Sequence, residues 1–77
     1  MKGGQDMAFD YSKLRGRIVE KFGSQSAFAN AIGKQEQAVS AKLNNRVGIT
    51  KDEIIEWSEV LGIDPDDYGR YFFAKEV

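Results

Sequence analysis

Apolar residues recur at steps of three and four along most of this chain, and no stretch alternates between apolar and polar residues as a half-buried strand does. This spacing places the apolar side chains on one face of a helix. The first such stripe consists of Tyr11, Leu14, Ile18 and Phe22, and Gly23 follows it as a stop signal. The pattern predicts an all-α protein.

Two short helices are predicted next. Ser24 is a suitable N-cap for a second helix, which stops at Gly33. A third helix places Val39 and Leu43 four residues apart on one face. A loop over residues 44–48 follows, because asparagine and glycine tolerate the conformations that end helices. Val47 in this loop and Ile49 just after it are candidates for burial.

Capping signals mark the start of two more helices. Thr50 and Glu53 have the spacing of a capping box, in which each side chain bonds a backbone N–H of the first turn. Asp64 and Pro65 form an N-cap followed by proline at the first helical position. Together these segments predict a compact five-helix bundle.

The length of 77 residues allows one small domain and no interdomain cleft. We expect residues 1–9 to be a flexible leader and residues 10–77 to be the domain. With 42% hydrophobic and 30% charged residues, the chain has the composition of a globular protein. No apolar run could cross a bilayer and no apolar signal core is present, so a cytoplasmic location is expected.

The composition also limits the chemistry. The chain contains no cysteine and no histidine, which excludes disulfides, thiol nucleophiles, histidine bases and metal sites built on nitrogen or sulfur ligands. We therefore expect no catalysis, no cofactor, no metal and no small-molecule ligand.

Charge is distributed unevenly along the chain. Residues 1–51 hold nine Lys and Arg against four Asp and Glu, or +5, whereas residues 52–77 hold two against eight, or −6, within a net charge of −1. Either both halves are solvated helix faces, or the basic half meets a polyanion while the acidic half faces away from it.

Residues 25–44 have the organisation of a helix-turn-helix unit. Ala29 allows close helix crossing and Gly33 a sharp turn. The wedge between the helices is formed by Phe28, Ile32, Val39 and Leu43. The side chains that face away from this wedge on the third helix are Glu36, Gln37, Ser40 and Ala41. From its first two turns, such side chains can reach base edges in a major groove.

On these residues the sequence resembles the helix-turn-helix (XRE-type) regulators of the phage repressor and Cro family. The residues that carry the resemblance are Gln25, Phe28, Ala29, Ile32, Gly33, Val39 and Leu43, together with residues 42–45 and the helix over residues 50–61. The run at residues 11–18 also looks like the opening of small Cro-like proteins of Gram-positive phages. The resemblance implies a lambda-repressor-like DNA-binding domain. This sequence departs from the family at three positions where the family usually has apolar, small or capping residues: Lys34, Gln35 and Lys42.

The same resemblance implies that Glu36, Gln37, Ser40 and Ala41 contact bases and that Gln25 contacts phosphate. The amides and cations around the motif are further candidates for the phosphate contacts that position a protein on DNA. The full phosphate set is Gln25, Lys34, Lys42, Asn44, Asn45, Arg46 and Lys51. The alternative interpretation of each candidate is an ordinary solvated side chain or a residue that favours helix formation.

The final segment is rich in aromatic residues: Tyr68, Tyr71, Phe72 and Phe73. These side chains either complete the core or form the interface of a homodimer, since one helix-turn-helix unit buries little surface on DNA.

The resulting prediction is a dimeric phage or prophage repressor, or Cro-like protein, that binds double-stranded operator DNA. The alternative is a small helical protein-interaction module, such as an antirepressor-type partner, that binds protein and not DNA. A carboxylate-based hydrolase is a third option, although a helix start explains the clustered acids Asp64, Asp66 and Asp67.

Overall fold

Five α-helices and one 3₁₀ turn make up the helical structure of residues 8–75, the part of the chain that this computed structural model describes. They are α1 (Ser12–Phe22), α2 (Gln25–Ala31), α3 (Glu36–Leu43), α4 (Lys51–Leu61) and α5 (Tyr68–Phe72). The predicted all-α, five-helix architecture is confirmed. The longest helices have 11 residues, and within residues 8–75 none is long and apolar enough to cross a membrane.

The predicted caps of α2 and α4 are present. The Ser24 hydroxyl accepts a hydrogen bond from the Ala27 N–H at 3.0 Å. At the start of α4, the Thr50 hydroxyl accepts from the Glu53 N–H at 3.2 Å, while the Glu53 carboxylate accepts from the Thr50 N–H at 2.9 Å. Because each bond joins residues three apart, the sequence pattern alone specifies it.

The fifth helix differs from its prediction. Pro65–Asp67 form a 3₁₀ turn, and α5 begins only at Tyr68. Asp64 is extended, as expected of an N-cap, but its side chain makes no capping hydrogen bond. Tighter 3₁₀ turns are frequent at helix ends. Their hydrogen bonds join residues three apart and pair backbone groups of the helix end that a side chain would otherwise cap.

One hydrophobic core joins the helices. Its centre is Trp57, which meets Phe28 edge to face with ring centroids 5.1 Å apart. Helix α1 contacts α2, α4 and α5, and α2 packs on α3. The largest fully buried apolar side chains are Trp57, Phe28, Phe72, Leu14, Ile18, Leu61 and Val39. All five helices therefore contribute to the same core.

The two ends of the described chain lie side by side. Phe9 and Lys75 form an isolated antiparallel β-bridge, and the Asp10 N–H donates to the Ala74 carbonyl at 2.7 Å. The predicted leader falls on residues 1–9, of which residues 1–7 lie outside the described residues. Phe9, which falls in the predicted leader, packs against the core.

Candidate functional site

Helices α2 and α3 form the predicted helix-turn-helix pair. Phe28 and Ala29 of α2 are buried, as are Val39 and Leu43 of α3. The predicted base-contacting side chains lie along α3. Glu36 and Gln37 are exposed at its start, whereas Ser40 and Ala41 are half-buried.

Arg15 of α1 ties this unit together. Its guanidinium donates to the Leu43 carbonyl at 3.1 Å and to the Asn44 side-chain oxygen at 2.9 Å. It also donates to the Gln25 side-chain oxygen at 3.4 Å, and the Gln25 amide donates to the Glu36 carboxylate at 3.3 Å. Arg15 thus satisfies one backbone carbonyl at the end of α3 and links this end to the start of α2.

Other polar side chains of the predicted site are also held within the fold. The Asn44 amide donates to the Ser40 carbonyl at 2.9 Å and to the Ser40 hydroxyl at 3.1 Å. Asn45 accepts from the Phe9 N–H at 3.0 Å and donates to the Phe9 carbonyl at 2.9 Å. Asn45 adopts a positive φ of 63°, which asparagine tolerates better than most residues.

Lys42 pairs with the capping-box carboxylate instead of facing solvent. Its ammonium lies 3.3 Å from the Glu53 carboxylate, and the two side chains are only 17% and 19% exposed. Burial acts to raise the pKa of Glu53, but the Thr50 N–H and the Lys42 ammonium outweigh burial and hold that pKa below its usual value.

The remaining predicted phosphate-contacting cations are Lys34, Arg46 and Lys51. All three are exposed, and none forms an ion pair within residues 8–75. The predicted set therefore divides into side chains held by internal contacts and three cations at the surface.

The terminal aromatic residues belong mainly to the core. Phe72 is 1% exposed, so it cannot form the predicted dimer contact. Tyr68 and Tyr71 are half-buried and pack against the core. Phe73 is 50% exposed and meets Phe9 edge to face at 5.9 Å. Phe72 lies one helical turn after Tyr68, whose ring it meets edge to face, on the helix that contacts α1.

An apolar groove opens beside this aromatic segment. It has a volume of about 150 Å³ and lies between the residues that precede α1, the loop between α3 and α4, and the end of α5. Its principal apolar lining consists of Phe9, Tyr11, Val47, Ile49, Ile54 and Phe73. Val47 is 52% exposed, so its predicted burial is wrong, whereas Ile49 packs partly against the core. We refer to this feature as the apolar groove.

Sequence patterns indicated neither Arg15 nor the apolar groove. Arg15 lies on the basic side of an amphipathic helix, where nothing distinguishes it from Lys13 or Arg17. The groove brings together residues 9–11, residues 45–49, Ile54 of α4 and residues 72–73. One local signal was available: Val47 lies in a loop between Arg46 and Gly48, a position that favours exposure of its side chain.

Comparisons with known proteins identify related proteins. A family model described as "Protein of unknown function (DUF739)" matches residues 7–75. A similar solved structure is that of the modulator of repression (MOR) of the temperate bacteriophage TP901-1 from Lactococcus lactis. It is 48% identical, with a TM-score of 0.78 over 87% of this chain and 90% of that chain. No curated protein matches significantly.

These findings correct the functional prediction. The assignment to the repressor and Cro family is wrong, as is the prediction of a DNA-binding repressor with operator DNA as its partner. The motif residues Ala29, Gly33 and Val39 specify how two helices pack, and helix packing does not determine what the outer surface binds. The base and phosphate roles of individual residues stay predictions.

Proposed function

The chain belongs to the DUF739 family, and from this premise we propose that it is a protein-interaction module that modulates repression by binding a repressor protein. The observation that carries the proposal is its 48% identity to a phage modulator of repression, over 87% of this chain. The proposed function requires no catalytic step and no cofactor.

The contacts around α3 support a protein partner over DNA. Gln25 and Glu36 bond to each other, Asn44 bonds to Ser40, and Lys42 pairs with Glu53. To reach a phosphate, Lys42 would have to leave Glu53, which reduces the net gain from that contact.

The outward face of α4 also favours a protein partner. The acidic side chains on this face are Asp52, Glu56 and Glu59, and all three are exposed. They share one face because they lie at helical steps of three and four. A concentration of negative charge excludes this face as one that meets DNA phosphates and is compatible with binding to protein.

The test uses the purified chain and the repressor encoded in the same genome. Isothermal titration calorimetry should detect a complex between the two proteins. In a gel-shift assay, the chain alone should leave operator DNA unshifted at low salt, where phosphate contacts are strongest. The chain added to repressor and operator together should change the fraction of DNA that the repressor binds.

Two results would overturn the proposal. One is the absence of any complex between the folded chain and the repressor. The other is direct binding of operator DNA by the chain alone, with an affinity that falls steeply as salt is raised.

A further inference from the structure

The apolar groove has the size of one apolar side chain. Cavities of about 150 Å³ with apolar walls take up a benzene-sized group, and the groove encloses about 150 Å³. Two of its lining residues, Val47 and Phe73, are 52% and 50% exposed. An inserted side chain would bury these exposed surfaces, and the removal of apolar area from water would favour binding.

The charges around the groove are mainly basic. Arg46 precedes the lining residue Val47, and Lys75 is bridged to the lining residue Phe9. Both cations are exposed. Two acids adjoin lining residues along the chain. Glu53, which precedes Ile54, is paired with Lys42, whereas Asp10 accepts bonds from the Ser12 hydroxyl at 2.6 Å and N–H at 2.9 Å, which lower its pKa. Asp10 therefore stays ionised at neutral pH, but the two exposed cations outnumber this one carboxylate, so the rim favours an acidic neighbour on whatever enters.

We propose that the apolar groove is the docking site for one apolar side chain of the repressor, of leucine, methionine or phenylalanine size, with a carboxylate beside it that pairs with Arg46 or Lys75. This inference rests on the proposed function and adds to it the surface and the chemistry of the contact. Protein interfaces concentrate their binding energy in a few anchoring side chains that are buried in pockets.

The chain offers a matched pair of apolar substitutions. Val47 at the groove and Val19 on α1 are 52% and 54% exposed, so lysine at either position changes the same residue type at nearly the same exposure. Val47→Lys should weaken repressor binding by about tenfold or more, whereas Val19→Lys should change it by less than about twofold. The affinities are measured by isothermal titration calorimetry, and circular dichroism establishes that each variant is folded.

A second pair tests the charge at the rim. Arg46→Glu should weaken binding by about fivefold at low salt and by less at high salt, because exposed charges are screened. Lys21→Glu changes an exposed cation in the last turn of α1 and should leave the affinity unchanged. If Val47→Lys does not fold, Val47→Thr replaces it, since threonine has nearly the same shape but a hydroxyl that the groove would have to desolvate.

The outcomes separate this inference from the proposed function. If the wild-type chain binds the repressor but Val47→Lys binds equally well, or Val19→Lys weakens binding as much, the docking site is overturned and the proposed function stands. If the wild-type chain does not bind, the proposed function fails and the docking site with it. Selective loss at Val47 and Arg46 supports both.

Discussion

At the scale of single residues, Ser58 has a buried hydroxyl that finds no hydrogen-bond partner within the described part of the chain. An unsatisfied buried polar group costs about 1–3 kcal/mol. Ser58→Ala should therefore raise the free energy of unfolding by about 1 kcal/mol, measured by urea denaturation. Ser26→Ala, at an exposed position of α2, controls for the better helix propensity of alanine. Equal gains in the two variants would show that the Ser58 hydroxyl costs nothing.

At the scale of elements, α1 stabilises the ends of two other helices through its arginines. Arg15 reaches the end of α3, as described above, and Arg17 reaches the end of α4. The Arg17 guanidinium donates to the Leu61 carbonyl at 2.9 Å and to the Gly62 carbonyl at 3.0 Å. These bonds satisfy carbonyls that a helix end leaves without partners.

Arg17→Lys should lower the free energy of unfolding by about 1–2 kcal/mol, because one ammonium cannot reproduce the guanidinium's planar set of donors. Chemical denaturation measures the change. The control is Arg70→Lys: Arg70 is 73% exposed and lies 3.7 Å from Asp67, so the substitution should cost less than about 0.5 kcal/mol. Similar losses in both variants would mean that Arg17 contributes only its charge.

The start of α4 should make stability depend on pH. The pKa of Glu53 is lower in the folded chain than its ordinary value of about 4.3. A depressed pKa means that the stabilisation is present above the ordinary pKa and is lost as the pH falls through the folded value. Glu53→Gln should therefore lower the unfolding midpoint at pH 7 and reduce its dependence on pH between about 5 and 3.

Thermal unfolding at several pH values measures this effect. The Glu53→Gln variant should keep a smaller dependence of stability on pH, because the pKa of Asp10 is also lowered, by the hydrogen bonds that it accepts from Ser12. Glu56→Gln, which changes an exposed carboxylate on the same helix, is the control and should keep the wild-type slope. An unchanged slope in Glu53→Gln would contradict the proposed role of this carboxylate.

At the scale of the whole molecule, one core shared by all five helices predicts cooperative unfolding. Trp57 is the only tryptophan and is 1% exposed at the centre of that core. Its fluorescence should report the same urea midpoint as helix content followed by circular dichroism. Phe28→Leu, which removes the ring against Trp57, should lower both midpoints together. Separate midpoints would show that part of the helix bundle unfolds independently.

The boundaries of most helices follow from local sequence patterns. Ser24 caps α2 and the Thr50 and Glu53 pair caps α4, as predicted, because each cap joins residues only three apart. The buried stripe of Leu14 and Ile18 likewise follows from the helical period. The five helices and most of the core could therefore be predicted without tertiary information. The partner could not, because most of the residues that define the helix-turn-helix pattern are buried and report only packing, among them Phe28, Ala29, Val39 and Leu43.

The sequence by itself determined that this chain forms five short helices around one core, since the spacing of apolar and capping residues acts within one or two helical turns. Tertiary structure decided which polar side chains remain available at the surface. Arg15 and Asn44 are 29 residues apart, and Phe9 and Asn45 are 36 apart, yet each pair is hydrogen bonded. The apolar groove also arises only when both ends of the described chain meet the loop after α3. Such surfaces depend on how helices pack, because they combine residues that have no fixed spacing in the chain.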